Sequence, residues 1–107
     1  MSNRFMRILI LFDLPVVTKE ARREYANFRK FLLKDGYDMM QFSVYSRLCR
    51  GIDSVNKHMS RVKSHLPPKG AVRAMVVTEK QFAAMQILVG KNRKIHKDKD
   101  LLQLSLF

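Results

Sequence analysis

The sequence predicts an α+β domain in which two helices cover one face of an antiparallel sheet. Three observations predict it. The run MRILILF at 6–12 is apolar but for Arg7 and is followed at once by Asp13, which reads as a buried central strand. Two later segments, about 18–34 and 53–66, carry apolar residues at three- and four-residue spacing, the mark of helices with one core face. Between and after them, 39–46 and 71–77 alternate apolar and polar residues, the period of half-buried strands. At 107 residues the chain fits a single domain,.

Taken in order, the first strand ends where Leu14-Pro15 interrupts it,. Thr18 is placed to cap the first helix, Glu20 favours its first turn, and Gly36 is placed to end it after Lys34,. At about 100° per residue, Ala21, Tyr25, Phe28 and Leu32 share the core face, and Lys19, Arg23, Lys30 and Lys34 line another,. In the strand at 39–46, Met40, Phe42 and Val44 point one way, Gln41 and Ser43 the other; 47–51 is its extension or a paired strand,. The second helix sets Val55, Met59, Val62 and Leu66 against a polar stripe of Lys57, His58, Arg61 and His65, and Pro67-Pro68 ends it,. Gly70 starts a turn into the strand at 71–77, and Thr78 caps a single turn through Gln81,. A short strand at 84–89, a charged loop at 91–100 and an alternating terminal strand, LLQLSLF at 101–107, complete the reading,.

The order closes as βαββαβ, the ferredoxin-like pattern, if Tyr37–Gly51 holds two paired strands. Residues 1–90 form the core domain, and 91–107 the charged loop and C-terminal strand. That last strand has no hairpin partner in the chain, and an apolar edge needs one. It is expected to add to the sheet of a second copy, giving a two-fold homodimer with exchanged C-terminal strands.

Composition narrows the function. Lys+Arg is 21 and Asp+Glu is 9, so 21 − 9 gives a net +12. Such a surplus on amphipathic segments points to a polyanion, with nucleic acid ahead of an anionic membrane surface. Between 47 and 73 there are seven Lys/Arg against Asp53 alone. Lys19, Lys30, Lys57 and Arg61 are therefore candidate phosphate contacts. No base-stacking aromatic pattern accompanies them, so backbone and shape recognition is expected. Cys49 is the single cysteine, read as structural, and no Cys/His cluster has zinc spacing. There is no apolar stretch of membrane-spanning length and no secretory signal, so a cytoplasmic location is expected.

Asp13 is the carboxylate to single out, since the carboxyl ends of strands commonly carry function. On residue chemistry two readings stand: a turn cap or ion-pair partner of a nearby arginine, or a metal ligand. One carboxylate per chain is little for Mg²⁺, but Asp13 from both subunits, meeting across a two-fold, would supply a pair. Metal-bound water could then attack a phosphodiester. His58 and His65 are read as solvated or phosphate-facing, as is His96.

The blocks MRILILFDLP at 6–15, Arg22-Arg23, DGYDMMQFSVYSR at 35–47 and VVTEKQFAAMQILVG at 76–90, in that order, resemble the small CRISPR-associated adaptation nucleases, the Cas2 family, in its type II version. The resemblance implies a ferredoxin-like homodimer acting in spacer acquisition. It implies a heterohexameric complex in which that dimer bridges two dimers of the CRISPR integrase along double-stranded DNA. It implies Mg²⁺-dependent endonuclease (phosphodiesterase) activity, with Mn²⁺ as substitute, and Asp13 as catalytic residue and metal ligand. It matches Arg22 and Arg23 to the family's basic residues, and Gln41, Phe42 and Ser43 to its dimer and active-site region. Phe12 stands where many members have tyrosine. DNA and RNA both remain open as ligand, and the alternative is a ferredoxin-like RNA-binding or toxin-type ribonuclease outside CRISPR.

Overall fold

A computed structural model describes residues 5–90. The elements are β1 (Phe5–Asp13), α1 (Lys19–Lys34), β2 (Asp38–Gln41), β3 (Val44–Arg50), α2 (Ile52–Ser64), β4 (Ala71–Thr78) and α3 (Glu79–Ala83). The four strands form one antiparallel sheet in the order β2-β3-β1-β4. That is the ferredoxin-like βαββαβ arrangement. The expected charged loop at 91–100 and terminal strand at 101–107 lie outside the described residues.

β1 is central because it is the most apolar strand. It pairs β3 from Phe5↔Arg50 to Leu11↔Val44, and β4 from Met6↔Thr78 to Asp13↔Ala71. The two-residue period sends Ile8, Ile10 and Phe12 to the helix side, where all three are buried,. Phe28 and Leu32 of α1, Val55 and Val62 of α2, Tyr45 and Cys49 of β3, and Leu14 and Tyr37 complete the core. Cys49 is a buried free thiol, as read. α1 begins where expected: the Thr18 hydroxyl accepts from the Ala21 amide at 3.0 Å. It ends at Asp35, followed by Gly36 at φ +95°, the left-handed conformation that glycine adopts without strain. α3 carries a full capping box, the Thr78 and Gln81 side chains each accepting from the other's amide at 3.0 and 2.9 Å,.

Three expectations are corrected. The alternation at 39–46 is not one strand: the chain reverses at Phe42-Ser43, so 38–41 and 44–50 are a hairpin with a bulge between Met39 and Gln41. Ser43 takes φ +67° there, and neither turn residue is the glycine or asparagine that usually signals such a reversal. Hence Phe42 does not share a strand face with Met40 and Val44. The segment 84–89 is not a strand; α3 runs to Ala83, and residues 84–89 join no ladder among the described residues. His58 is not solvated but 4% exposed. It lies about 40° beyond Val62 around α2 at 100° per residue, on the edge of the core stripe that meets α1. No helix among the described residues is long and apolar enough to cross a membrane.

Candidate functional site

The carboxyl end of β1 gathers several candidate residues. The Phe12 ring is driven into the core, at 5.6 Å from Tyr45, 5.9 Å from Tyr25 and 5.2 Å from Phe28. Alternation then turns Asp13 to the opposite face, where it is exposed,. Among the described residues, Asp13 makes no ion pair and no side-chain hydrogen bond. The hairpin tip lies beside it: the Phe12 amide donates to the Ser43 carbonyl at 3.1 Å, and Phe42 stacks on Tyr25 at 6.0 Å. Gln41 is exposed at the same tip. On the other flank, β4 enters at Gly70-Ala71, with Ala71 in register with Asp13.

The loop after Asp13 leads into α1, whose first two turns carry Lys19, Arg22 and Arg23, all exposed. Arg22 is not idle. Its Nη1 donates to the carbonyls of Val16 and Val17 at 3.1 and 2.9 Å, stitching the loop to the helix. Lys30 continues the Lys19–Arg23 stripe, about 16 Å along the axis from Lys19 at 1.5 Å per residue. Lys57 is exposed on α2, away from this end. Arg61 is engaged elsewhere: its Nη1 meets Asp35 Oδ1 at 2.7 Å. The structure therefore groups Asp13, Gln41–Ser43, Lys19, Arg22 and Arg23, and leaves Lys30, Lys57 and Arg61 on the helical layer.

Among the described residues no three His, Cys, Asp or Glu side chains converge to hold a metal. At this end of β1 one chain thus offers a divalent cation the exposed carboxylate of Asp13. Mg²⁺ accepts one or two carboxylates when water and phosphate oxygens complete its shell, so the donor chemistry fits if a second carboxylate comes from another copy.

Among the described residues, little covers the sheet face carrying Asp13. Register puts Phe5, Leu9, Leu11, Val44, Leu48, Met75 and Val77 on it, and Leu11, Leu48 and Met75 are 38%, 43% and 49% exposed. α3 covers one end only. Arg7 on this face donates to both oxygens of Glu79, Nε–Oε1 at 2.7 Å and Nη2–Oε2 at 3.3 Å, and stacks over Phe82 at 4.2 Å.

A second polar node was invisible to pattern reading. Asp35, at the end of α1, receives His58 Nδ1 at 2.9 Å and Arg61 Nη1 at 2.7 Å on its two carboxylate oxygens, and its carbonyl receives Arg47 Nε at 2.7 Å. Burial raises the Asp35 pKa, but the hydrogen bonds and electrostatic pull of His58 and Arg61 outweigh it and hold the carboxyl below its usual range. Burial, with the neighbouring Asp35 charge, pushes the Tyr37 phenol well above its usual range. The only advance signal was an acid just past a helix end with a histidine and an arginine three apart on the next helix.

Comparison with known proteins supplies an independent line. The family described as CRISPR associated protein Cas2 matches residues 6–85. The CRISPR-associated endoribonuclease Cas2 of Acidovorax ebreus (strain TPSY) is 54% identical over 102 residues, covering 95% of this chain and 100% of that protein. A protein of the same name from Campylobacter jejuni is 43% identical over 94% of this chain and 72% of its own length. One from Flavobacterium psychrophilum is 40% identical, covering 97% and 90%.

Proposed function

The chain belongs to the CRISPR associated protein Cas2 family, and on that premise we propose that it is a CRISPR adaptation protein with phosphodiesterase activity, acting as a homodimer on a nucleic-acid duplex. One observation carries the reading. Among the described residues, Asp13 stands exposed and unpaired at the edge of a largely uncovered apolar sheet face, while the helical layer on the other side displays Lys19, Arg23 and Lys30.

A second copy laid on the apolar face buries Leu11, Leu48 and Met75, and a two-fold through that face brings the Asp13 ends of both chains toward one another. Two carboxylates brought close repel, and a divalent cation relieves the repulsion. Asp13 of both copies would hold Mg²⁺ or Mn²⁺. Such an ion supplies Lewis-acid stabilisation of the scissile phosphate and a nucleophilic water near neutral pH. The chain's own residues do the rest. Lys19 and Arg23 draw the phosphate backbone to the end of β1, and the Gln41–Ser43 tip walls the opposite flank. The basic stripe of α1 extends the track along a duplex, where the dimer bridges the CRISPR integrase partner. The curated relatives are named endoribonucleases, so RNA is tested beside DNA. Family membership favours this reading over a ribonuclease module outside CRISPR.

The test uses purified full-length chain with duplex DNA and single-stranded RNA in Mg²⁺ or Mn²⁺, from pH 6 to 9. The wild type is expected to cleave at least one of them, and Asp13→Ala to lose about 10²-fold or more. Equal cleavage by Asp13→Ala sinks the enzymatic half. For binding, three phosphate contacts per copy and two copies give a log–log salt slope of about −5, so affinity should fall about 10³-fold between 50 and 200 mM salt. Binding indifferent to salt sinks the duplex half.

A further inference from the structure

We infer that Gly70 and Arg22 are positioning residues for Asp13: one backs its peptide from the sheet side, the other pins the loop that follows it. The inference rests on the reading of Asp13 as a divalent-cation ligand.

The Asp13 carboxylate stands on a short side chain with only the Cα–Cβ and Cβ–Cγ bonds to turn, so its place depends on the 13–14 backbone. At the last register pair, Asp13↔Ala71, the two strands part company. Gly70 sits just beyond, at φ +97°, with its Cα face pressed on that backbone. A Cβ built there lands 2.7 Å from the Asp13 carbonyl oxygen, 2.7 Å from Leu14 Cδ2 and 3.1 Å from Leu14 Cα. None of this can be absorbed by a flexible side chain alone, because a backbone oxygen and a Cα are among the atoms met. Leu14 is itself buried, 8% exposed, and has nowhere to retreat. Relieving the 2.7 Å approach to an ordinary 3.4 Å moves the Asp13 peptide by about 0.7 Å (3.4 − 2.7).

From the loop side, Leu14 to Val17 contains no regular ladder, and Val17 is 85% exposed. Arg22 supplies what the loop lacks. One guanidinium nitrogen reaches the carbonyls of Val16 and Val17, a charge-assisted pair that ties the loop to the rigid first turns of α1. Asp13 is thus held between a strand entry that leaves no space and a loop fastened from the helix. Arg23, next in sequence, makes no such contact among the described residues and is left to face a ligand. The adjacent arginines therefore do different work.

The experiment measures Mn²⁺ affinity of the full chain by EPR titration, with cleavage, circular dichroism and solution mass recorded on the same samples. Gly70→Ala is expected to bind Mn²⁺ about tenfold more weakly and, as a misplacement approaching 1 Å, to cleave about 10²-fold more slowly, with unchanged spectrum and mass. Asp13→Ala/Gly70→Ala should bind Mn²⁺ no worse than Asp13→Ala, since a residue acting through Asp13 has nothing left to position. A purely structural role for Gly70 would add its loss to that of Asp13→Ala. Arg22→Ala should weaken Mn²⁺ binding about tenfold and Arg22→Lys restore most of it, the ammonium still donating to carbonyls. If Asp13→Ala loses Mn²⁺ while Gly70→Ala and Arg22→Ala bind as the wild type does, the positioning inference is overturned and the Asp13 reading stands. If Asp13→Ala binds Mn²⁺ undiminished, the Asp13 reading falls and takes this one with it. Should Gly70→Ala lose its fold, the Arg22 pair decides: no loss in Arg22→Ala, or no recovery in Arg22→Lys, overturns the inference.

Discussion

Replacing Asp35 by Ala strips two partners at once, and the structure says how unequal they are. His58 is 5% exposed at its side chain and loses its bond to Oδ2 at 2.9 Å. A buried polar group left unpartnered costs about 1–3 kcal/mol. Arg61 is 49% exposed and loses Oδ1 at 2.7 Å. Water replaces that bond, so its share is at most about 1 kcal/mol. The expected loss is about 2–3 kcal/mol at neutral pH, equivalent to a fall in Tm of roughly 10–20 °C for a domain of this size. The pH dependence carries the sharper check. Asp35 titrates below its usual range when folded. A depressed carboxyl contributes stability that is fully present above the unfolded pKa of about 3.9 and is lost as pH falls through the folded value. The gap between wild type and Asp35→Ala should therefore be constant from neutral pH down to about 4 and shrink below that. Urea unfolding at matched protein concentration measures it. A gap under about 0.5 kcal/mol at pH 7, within the range of ordinary surface substitutions, refutes the reasoning; so does a gap that holds its size on acidification.

Three further outcomes follow from single contacts. Ser43→Val puts a β-branched residue at φ +67° and should cost about 1–2 kcal/mol in thermal unfolding, while Ser43→Gly should not; equal melting of the two would remove strain as the issue. Among the described residues the buried Tyr37 hydroxyl has no partner, so Tyr37→Phe should be neutral or stabilise by up to about 1 kcal/mol in urea unfolding, and a clear loss would mean the hydroxyl has a partner. Arg7→Ala removes the bidentate contact to Glu79 and the stacking on Phe82 and should raise amide exchange in Glu79–Ala83 about tenfold or more. Unchanged exchange there would show that α3 is held by something else.

What could be read in advance was whatever depends on local chemistry. Thr18 and Thr78 cap helices because a hydroxyl beside a helix start has one favourable use, and β1 is central because five apolar residues in a row, Ile8 to Phe12, have nowhere else to go. Gly36 ends α1 for the same kind of local reason. Asp13 could be located, since a charge directly after a buried strand must surface at its end. What escaped was set by tertiary contact. Phe42-Ser43 carries no turn signal, and its reversal follows from pairing with β1 and from Phe42 meeting Tyr25. His58 belonged to a basic stripe by composition, yet α1 covers that edge of α2 and supplies Asp35 to meet it. Gly70 looked like an ordinary turn glycine; only the approach of the Asp13 carbonyl shows why no side chain fits there. The apolar 84–89 had strand composition, but the capping box at Thr78 commits the preceding turns to helix first.

The proposed function makes two demands on so small a chain, and they fall on opposite sides of it. Pairing with a second copy needs apolar surface; holding a duplex needs cations. In a 107-residue chain these could interfere, because lysines near an apolar patch weaken association and leucines near phosphate gain nothing. Here the sheet separates them. Alternation along β1 sends Leu9 and Leu11 to one face and Ile8, Ile10 and Phe12 to the other, where α1 and α2 cover them and turn their own basic stripes outward. Register also places three arginines on the open face: Arg7 is neutralised by Glu79, and Arg50 and Arg73 lie opposite Phe5 and Leu11. Asp13 connects the two layers, because the end of β1 belongs to both: its side chain joins the open face while its backbone continues into the loop that opens α1. A carboxylate placed there is the one acid that a second copy and a phosphate can both approach, and this is why loss of dimerisation through Leu11 or Met75 should abolish divalent-metal binding without any change to Asp13 itself.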